Sequence, residues 1–198
     1  EHNSEEIWNV ILTLLKTAFD EYSPNNCKAI GITNQRETTI IWNKNNGIPI
    51  YNAIVWQCRR TKNICKRLIQ SGYSKIITTK TGLIIDSYFS GPKIRWLLDN
   101  IEGAQDEAKK GTLAFGTIDT WILWKLTGSL IHATDYTNAS RTMIFNIDTL
   151  NWDPDILNIL NIPNEILPEI KPSCSNFGYT KLDFLDVSIP ITAIAGDQ

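Results

Sequence analysis

The chain has 198 residues, 42% hydrophobic and 20% charged, with 11 Gly and 8 Pro, a composition that excludes a disordered segment, a collagen-like repeat and a coiled coil. Lys and Arg total 19 against 21 Asp and Glu, a formal charge of -2, and no five like charges run together, so nucleic acid is not an expected partner. The cysteines at 27, 58, 65 and 174 form no CxxC pair and have no histidine at metal spacing, which fits reduced thiols in a cytoplasmic compartment, and no apolar run is long enough to span a bilayer.

Near the start, Ser4-Glu5-Glu6 offers a cap and a first acidic turn. Ile7, Val10, Ile11, Leu14, Leu15 and Phe19 then recur at helical spacing, predicting an amphipathic helix that ends near Tyr22 and packs on a sheet. Two β-branched runs follow, Ala29 to Thr33 and Thr38 to Trp42, and the Asn43 to Gly47 turn leads into a third, Ile48 to Trp56. They read as two or three adjacent strands. Thr61 to Gly72 predicts a helix with Gly72 as its left-handed stop, and further helices are expected at Pro92 to Asn100, Glu102 to Lys110 and Thr117 to Leu126. Thr142 to Ile147 reads as a strand, Pro154 to Leu160 as a short helix, the segment holding Pro163, Pro168 and Pro172 as an irregular connector, and Ile189 to Ala195 as a final strand. Strands alternating with helices predict an α/β domain. The chain starts at Glu1 without a methionine or a signal peptide and stops just as this last strand delivers Asp197 to a turn, the expected look of a piece of a longer protein.

Four places can carry chemistry. Asn34-Gln35-Arg36-Glu37 lies between two apolar strands where a simple hairpin would ask for Gly, Asn or Asp. Arg36 and Glu37 could offer a donor fork and a carboxylate to a hydroxyl-rich ligand, or form a solvated turn. Trp56 ends an apolar run, where α/β sheets place ligands, although the pattern taken alone favours a core tryptophan. The Tyr88 hydroxyl could bond a ligand or a neighbouring carbonyl. Asp197, preceded by Gly196 at the end of a strand, is placed for general-base work, for metal binding or for an Asx turn. His2 and His132 are solitary and support neither a triad nor a metal site.

The runs Gly31 to Thr39, Tyr51 to Thr61 and Asp135 to Met143, with Ile194-Ala195-Gly196-Asp197-Gln198 at the end, resemble glycerol kinases. Tyr88 to Asn100 is similar to a signature of the wider FGGY carbohydrate-kinase family, and the motifs fall in register from Glu1 to Gln198. The resemblance implies an α/β, actin-like and ribonuclease-H-like fold with a mixed sheet flanked by helices. It implies ATP and Mg2+ as cofactors and transfer of the γ-phosphoryl group to a terminal hydroxyl of glycerol. Carried over residue by residue, it assigns glycerol binding to Arg36, Glu37, Trp56, Tyr88, Asp197 and Gln198, and the catalytic base to Asp197. It assigns no metal ligand and no nucleotide contact to any residue, and it leaves a homo-oligomer open. The family's phosphate hairpin has no counterpart in the sequence, nor has its second, adenosine-binding domain. Residues 1–198 are therefore expected to be part of the N-terminal, substrate-binding domain, inactive in isolation. Another FGGY sugar kinase, or a non-catalytic polyol- or protein-binding module, is the alternative.

Overall fold

A computed structural model describes residues 1–198. The amphipathic first segment forms α1 (Ser4–Glu21), capped by Asn3, whose side chain accepts from the Glu5 and Glu6 amides. Its buried contact is Trp8, flanked by the half-buried Ile11, Leu12 and Leu15, while Val10 and Leu14 face outward. The buried stripe is thus rotated from the expected one, because an indole buries more apolar area than a valine or leucine.

β1 (Ile30–Asn34) and β2 (Ile40–Asn43) follow, but they are not paired with each other. The polar turn Gln35-Arg36-Glu37 between them directs the chain away, and each strand finds a partner remote in sequence. The run from Ile48 does lie beside β2, though only as bridges at Thr39/Ile54 and Trp42/Pro49.

Next come α2 (Lys62–Gln70), stopped by Gly72 at φ +81°, α3 (Ser74–Thr81), α4 (Ser90–Asn100) and α5 (Ala104–Lys109). β3 (Leu113–Gly116) pairs antiparallel with β2, and α6 (Ile118–Leu126) leads to β4 (Ala133–Asp135) and the single turn α7 (Tyr136–Ala139). The expected strand over 142–147 shrinks to β5 (Phe145–Asn146), since Met143 sits at φ +64° and breaks the extended run. β6 (Asn151–Trp152) closes a hairpin with β5 and precedes α8 (Pro154–Leu160). The proline-rich connector contains β7 (Glu169–Lys171), parallel to β4, and β8 (Ile191–Gly196) returns parallel to β1. Parallel and antiparallel pairs among helices make a mixed α/β architecture.

Two apolar cores result. One joins α2, α4, α5 and α8 around Ile41, Phe115 and Met143; the other gathers Trp42, Trp121, Trp124 and Ile194 beneath α1 and α6. Trp42 meets Trp121 edge-on at 5.2 Å, and His132, half-buried against Trp42 and Trp124, makes a 2.7 Å hydrogen bond between its Nε2 and the Phe115 carbonyl. Both faces of β2 are therefore packed, which fixes the strand into which the Arg36–Glu37 turn leads. No helix is long and apolar enough to cross a membrane.

Candidate functional site

β1 and β8 run side by side with Asn34 opposite Gly196, so their carboxyl ends open on one rim, the usual ligand position of a parallel α/β pair. The Asp197 amide donates to the Asn34 carbonyl at 3.2 Å, and the Gly196 amide to Thr137 Oγ1 at 2.8 Å. The Thr137 hydroxyl in turn donates to Asp135 Oδ2 at 2.7 Å, as does Ser173 at 2.6 Å, so α7 fixes the end of β8. Beneath β1, the Asn34 side-chain amide donates to Asp119 Oδ1 at 3.3 Å and to Asn138 Oδ1 at 3.0 Å. Burial pushes the Asp119 carboxyl up to about 6, against the pull of the Thr117 and Thr134 hydroxyls.

Gly196 is needed for close approach. A Cβ there would overlap Cδ and Cγ of Arg36, so the arginine lies flat across the end of β8 only because the position is glycine. Arg36 places Nε 3.5 Å from Asp197 Oδ1 and donates from Nη2 to Gln198 Oε1 at 3.3 Å. Its Nε is buried and has no hydrogen-bond partner, a donor left over beside the pocket.

Glu37 is almost wholly buried, so the Arg36–Glu37 segment is no solvated turn. It has φ +62°, and the Thr38 amide donates across it to the Arg36 carbonyl at 2.8 Å. A three-residue turn with a positive φ at a non-glycine centre is rare and strained, the kind of backbone found where a side chain must be aimed. Arg141 Nε donates to Glu37 Oε1 at 2.7 Å, while its guanidinium lies over the Phe89 ring at 5.0 Å and the Tyr88 ring at 5.7 Å. Trp56, 37% exposed, tilts against Tyr88 with ring centroids 5.6 Å apart, and so stands at the surface rather than in either core.

Arg36, Glu37, Trp56, Tyr88, Asp197 and Gln198, with Gln35, line one cavity of about 120 Å³. All the residues singled out from sequence for substrate binding thus meet at one place. The volume is well below the roughly 300–1,000 Å³ of pockets for drug-sized ligands, so the cavity suits a molecule of a few heavy atoms. Nowhere do three or more His, Cys, Asp or Glu side chains converge as metal ligands. Asp197, half-exposed, is the carboxylate nearest the mouth, so this chain offers a magnesium ion one carboxylate and no cage.

Lys93 and Arg141 were not singled out, although both touch the site from behind. The signals were present: Lys93 falls on the apolar stripe of α4 with Ile94 and Leu97, and Arg141 lies within the Asp135 to Met143 run.

Residues 1–198 match the FGGY family of carbohydrate kinases, N-terminal domain. The chain is 56% identical over 200 residues to glycerol kinase 2 of Thermotoga maritima and 58% identical over 200 residues to glycerol kinase of Borreliella afzelii. In both cases all of this chain is covered, and it spans 40% of the relative's length. Among solved structures, Plasmodium falciparum glycerol kinase with ADP superposes with a TM-score of 0.91 at 41% identity, over all of this chain and 40% of that one. Gluconate kinase from Lactobacillus acidophilus shares the fold, with a TM-score of 0.87 at 24% identity over all of this chain and 39% of that one. The fold is the expected actin-like α/β architecture, and the chain belongs to the FGGY family of carbohydrate kinases, matching its N-terminal domain over residues 1–198.

Proposed function

We propose that the intact protein carrying this chain phosphorylates glycerol at a primary hydroxyl with ATP, giving glycerol 3-phosphate. The observation that carries this reading is the 120 Å³ cavity, whose lining joins an arginine, a buried carboxylate, two aromatic rings and a half-exposed acid. The glycerol kinase names of relatives more than half identical over the whole chain support it. A three-carbon triol presents donors and acceptors to Arg36, Glu37 and Tyr88 and lays its carbons on Trp56. A poorer ligand would leave those buried groups unpaired.

Asp197 then accepts the proton of the attacking hydroxyl as its oxygen bonds to the γ-phosphorus and ADP departs. Arg36, beside Asp197, keeps that carboxylate oriented. Positioning and charge neutralisation dominate such transfers. A magnesium ion would supply neutralisation of phosphate charge, and Asp197 is the half-exposed carboxylate of this site that could hold it. The 198 residues alone are proposed to show no turnover, since they span 40% of the relatives' length. A cytoplasmic location is proposed with it, where the four free cysteines stay reduced.

The test is a substrate comparison on the intact protein with glycerol, xylulose, ribulose and gluconate. The highest kcat/KM is expected for glycerol; a clear preference for any sugar or sugar acid overturns the reading.

A further inference from the structure

Lys93 stands in the first turn of α4, on the face occupied by Ile94, Leu97 and Leu98, and is completely buried. An ammonium taken out of water costs several kcal/mol unless hydrogen bonds replace its hydration, and a hydrophobic side chain of similar volume often packs there as well or better. The useful question is therefore what the charge holds. Its Nζ donates to the Tyr88 carbonyl at 2.7 Å and to the Glu37 carbonyl at 2.9 Å. The Ser90 hydroxyl, from the same turn of helix, donates to the Glu37 carbonyl at 3.3 Å, and the Thr39 hydroxyl does so at 3.1 Å.

One buried amine thus ties together two segments far apart in the chain, and both of them supply walls of the cavity. Glu37 is also the strained residue, at φ +62°. Such a conformation is strained and persists only where its surroundings over-determine it. Three donors on one carbonyl do this for the backbone, as Arg141 does for the carboxylate. Burial pulls the Lys93 ammonium down to about 7, while Glu37, Cys58 and Asp86, the ionisable groups facing it, pull the other way.

We propose that Lys93 is a positioning residue of the polyol pocket: its two Nζ hydrogen bonds set the spacing between the Arg36–Glu37 turn and the Tyr88 ring, and so govern affinity for glycerol without touching it. The inference rests on the glycerol-kinase reading of the pocket.

Steady-state kinetics on the intact protein test it, with wild type measured first and Lys93→Met beside it. Methionine keeps the length and apolar stem of the side chain but donates nothing. The expected result is a 10- to 100-fold rise in KM for glycerol with KM for ATP within twofold of wild type, in a protein whose circular dichroism is unchanged. A folded Lys93→Met variant with wild-type KM for glycerol, or one whose two KM values rise together, overturns the proposal. If Lys93→Met does not fold, Ser90→Ala carries the test by removing one donor from the same carbonyl: a two- to fivefold rise in KM for glycerol alone is expected, and no change overturns it. A wild-type protein that prefers a different polyol instead overturns the glycerol reading, and the same comparison is then decided on that polyol.

Discussion

Arg141 reaches Glu37 from 104 residues further along the chain, and the 2.7 Å bond between Nε and Oε1 gives a buried carboxylate its one ion pair. The same guanidinium rests on Phe89, so it braces the aromatic wall of the cavity as well as the acid. Removing it strands the Glu37 charge in a low-dielectric site.

For Arg141→Met we expect a loss of about 1.5–3 kcal/mol of stability, the usual worth of a hydrogen bond to a charged group, and at least a tenfold rise in KM for glycerol. Arg141→Lys should rescue little, because an ammonium lacks the planar fork that bonds Glu37 while lying over Phe89. Thermal unfolding and initial-rate kinetics on the intact protein check both. Wild-type values for Arg141→Lys would show that charge alone suffices.

Within the pocket, Arg36→Ala should cost more than Tyr88→Phe. A lost charge-assisted bond of about 1.5–3 kcal/mol lowers kcat/KM for glycerol about 10- to 150-fold, and a neutral one of about 0.5–1.5 kcal/mol about 2- to 12-fold. Equal effects, or wild-type kinetics for a folded Arg36→Ala variant, would contradict the site.

Gly196→Ala adds a single methyl group, and it collides with Arg36 Cγ and Cδ. The arginine must leave the end of β8, so glycerol use should approach that of Arg36→Ala with the fold kept, since the glycine has no positive φ to preserve. A crystal structure of the variant, or its kcat/KM for glycerol, decides the matter; unchanged kinetics would mean Arg36 has no fixed place there.

Between about pH 4 and pH 6.5, His132 and Asp119 act on stability with opposite sign, while Lys93 acts above about 7. His132, held down to about 4 by burial, binds its proton more weakly folded than unfolded, so its contribution is complete above about 6.5 and is lost as pH falls towards 4. Asp119, raised to about 6, binds its proton more tightly when folded, so its contribution falls as pH rises from about 4 to 6. The two slopes oppose each other in wild type. His132→Gln should remove its own slope, leave that of Asp119, and so raise stability at pH 4 relative to pH 6 compared with wild type. Denaturant unfolding across that range measures it, and in wild type the His132 ring signals should not titrate between pH 8 and pH 5.

Much of this was legible in the sequence because it rests on local chemistry. α6 and α8 lie where apolar spacing and a proline at the first helical position put them, and Gly72 stops α2 as its left-handed φ requires. The polar break at 34–37 between apolar strands did mark the pocket. What failed was non-local. β1 and β2 pair with β8 and β3, which no local pattern specifies, and β3, β4 and β7 are too short to show an alternation. α3 reads weakly because its Ser and Thr residues favour caps and turns over helix interiors. Lys93 and Arg141 escaped because their partners, Glu37 and Tyr88, become neighbours only once α4 and the segment after α7 pack behind the pocket.

The reading turns most directly on Asp197, whose backbone is fixed by Asn34 and whose carboxylate stands beside Arg36 at the cavity mouth. The measurement is kcat and KM for glycerol in the intact protein carrying Asp197→Asn. A proton acceptor in reach of the attacking hydroxyl gives a kcat lower by roughly 100- to 10,000-fold with KM for glycerol changed only a few-fold. Asn fills a turn position as well as Asp does, so near-normal kcat in that variant would contradict the mechanism.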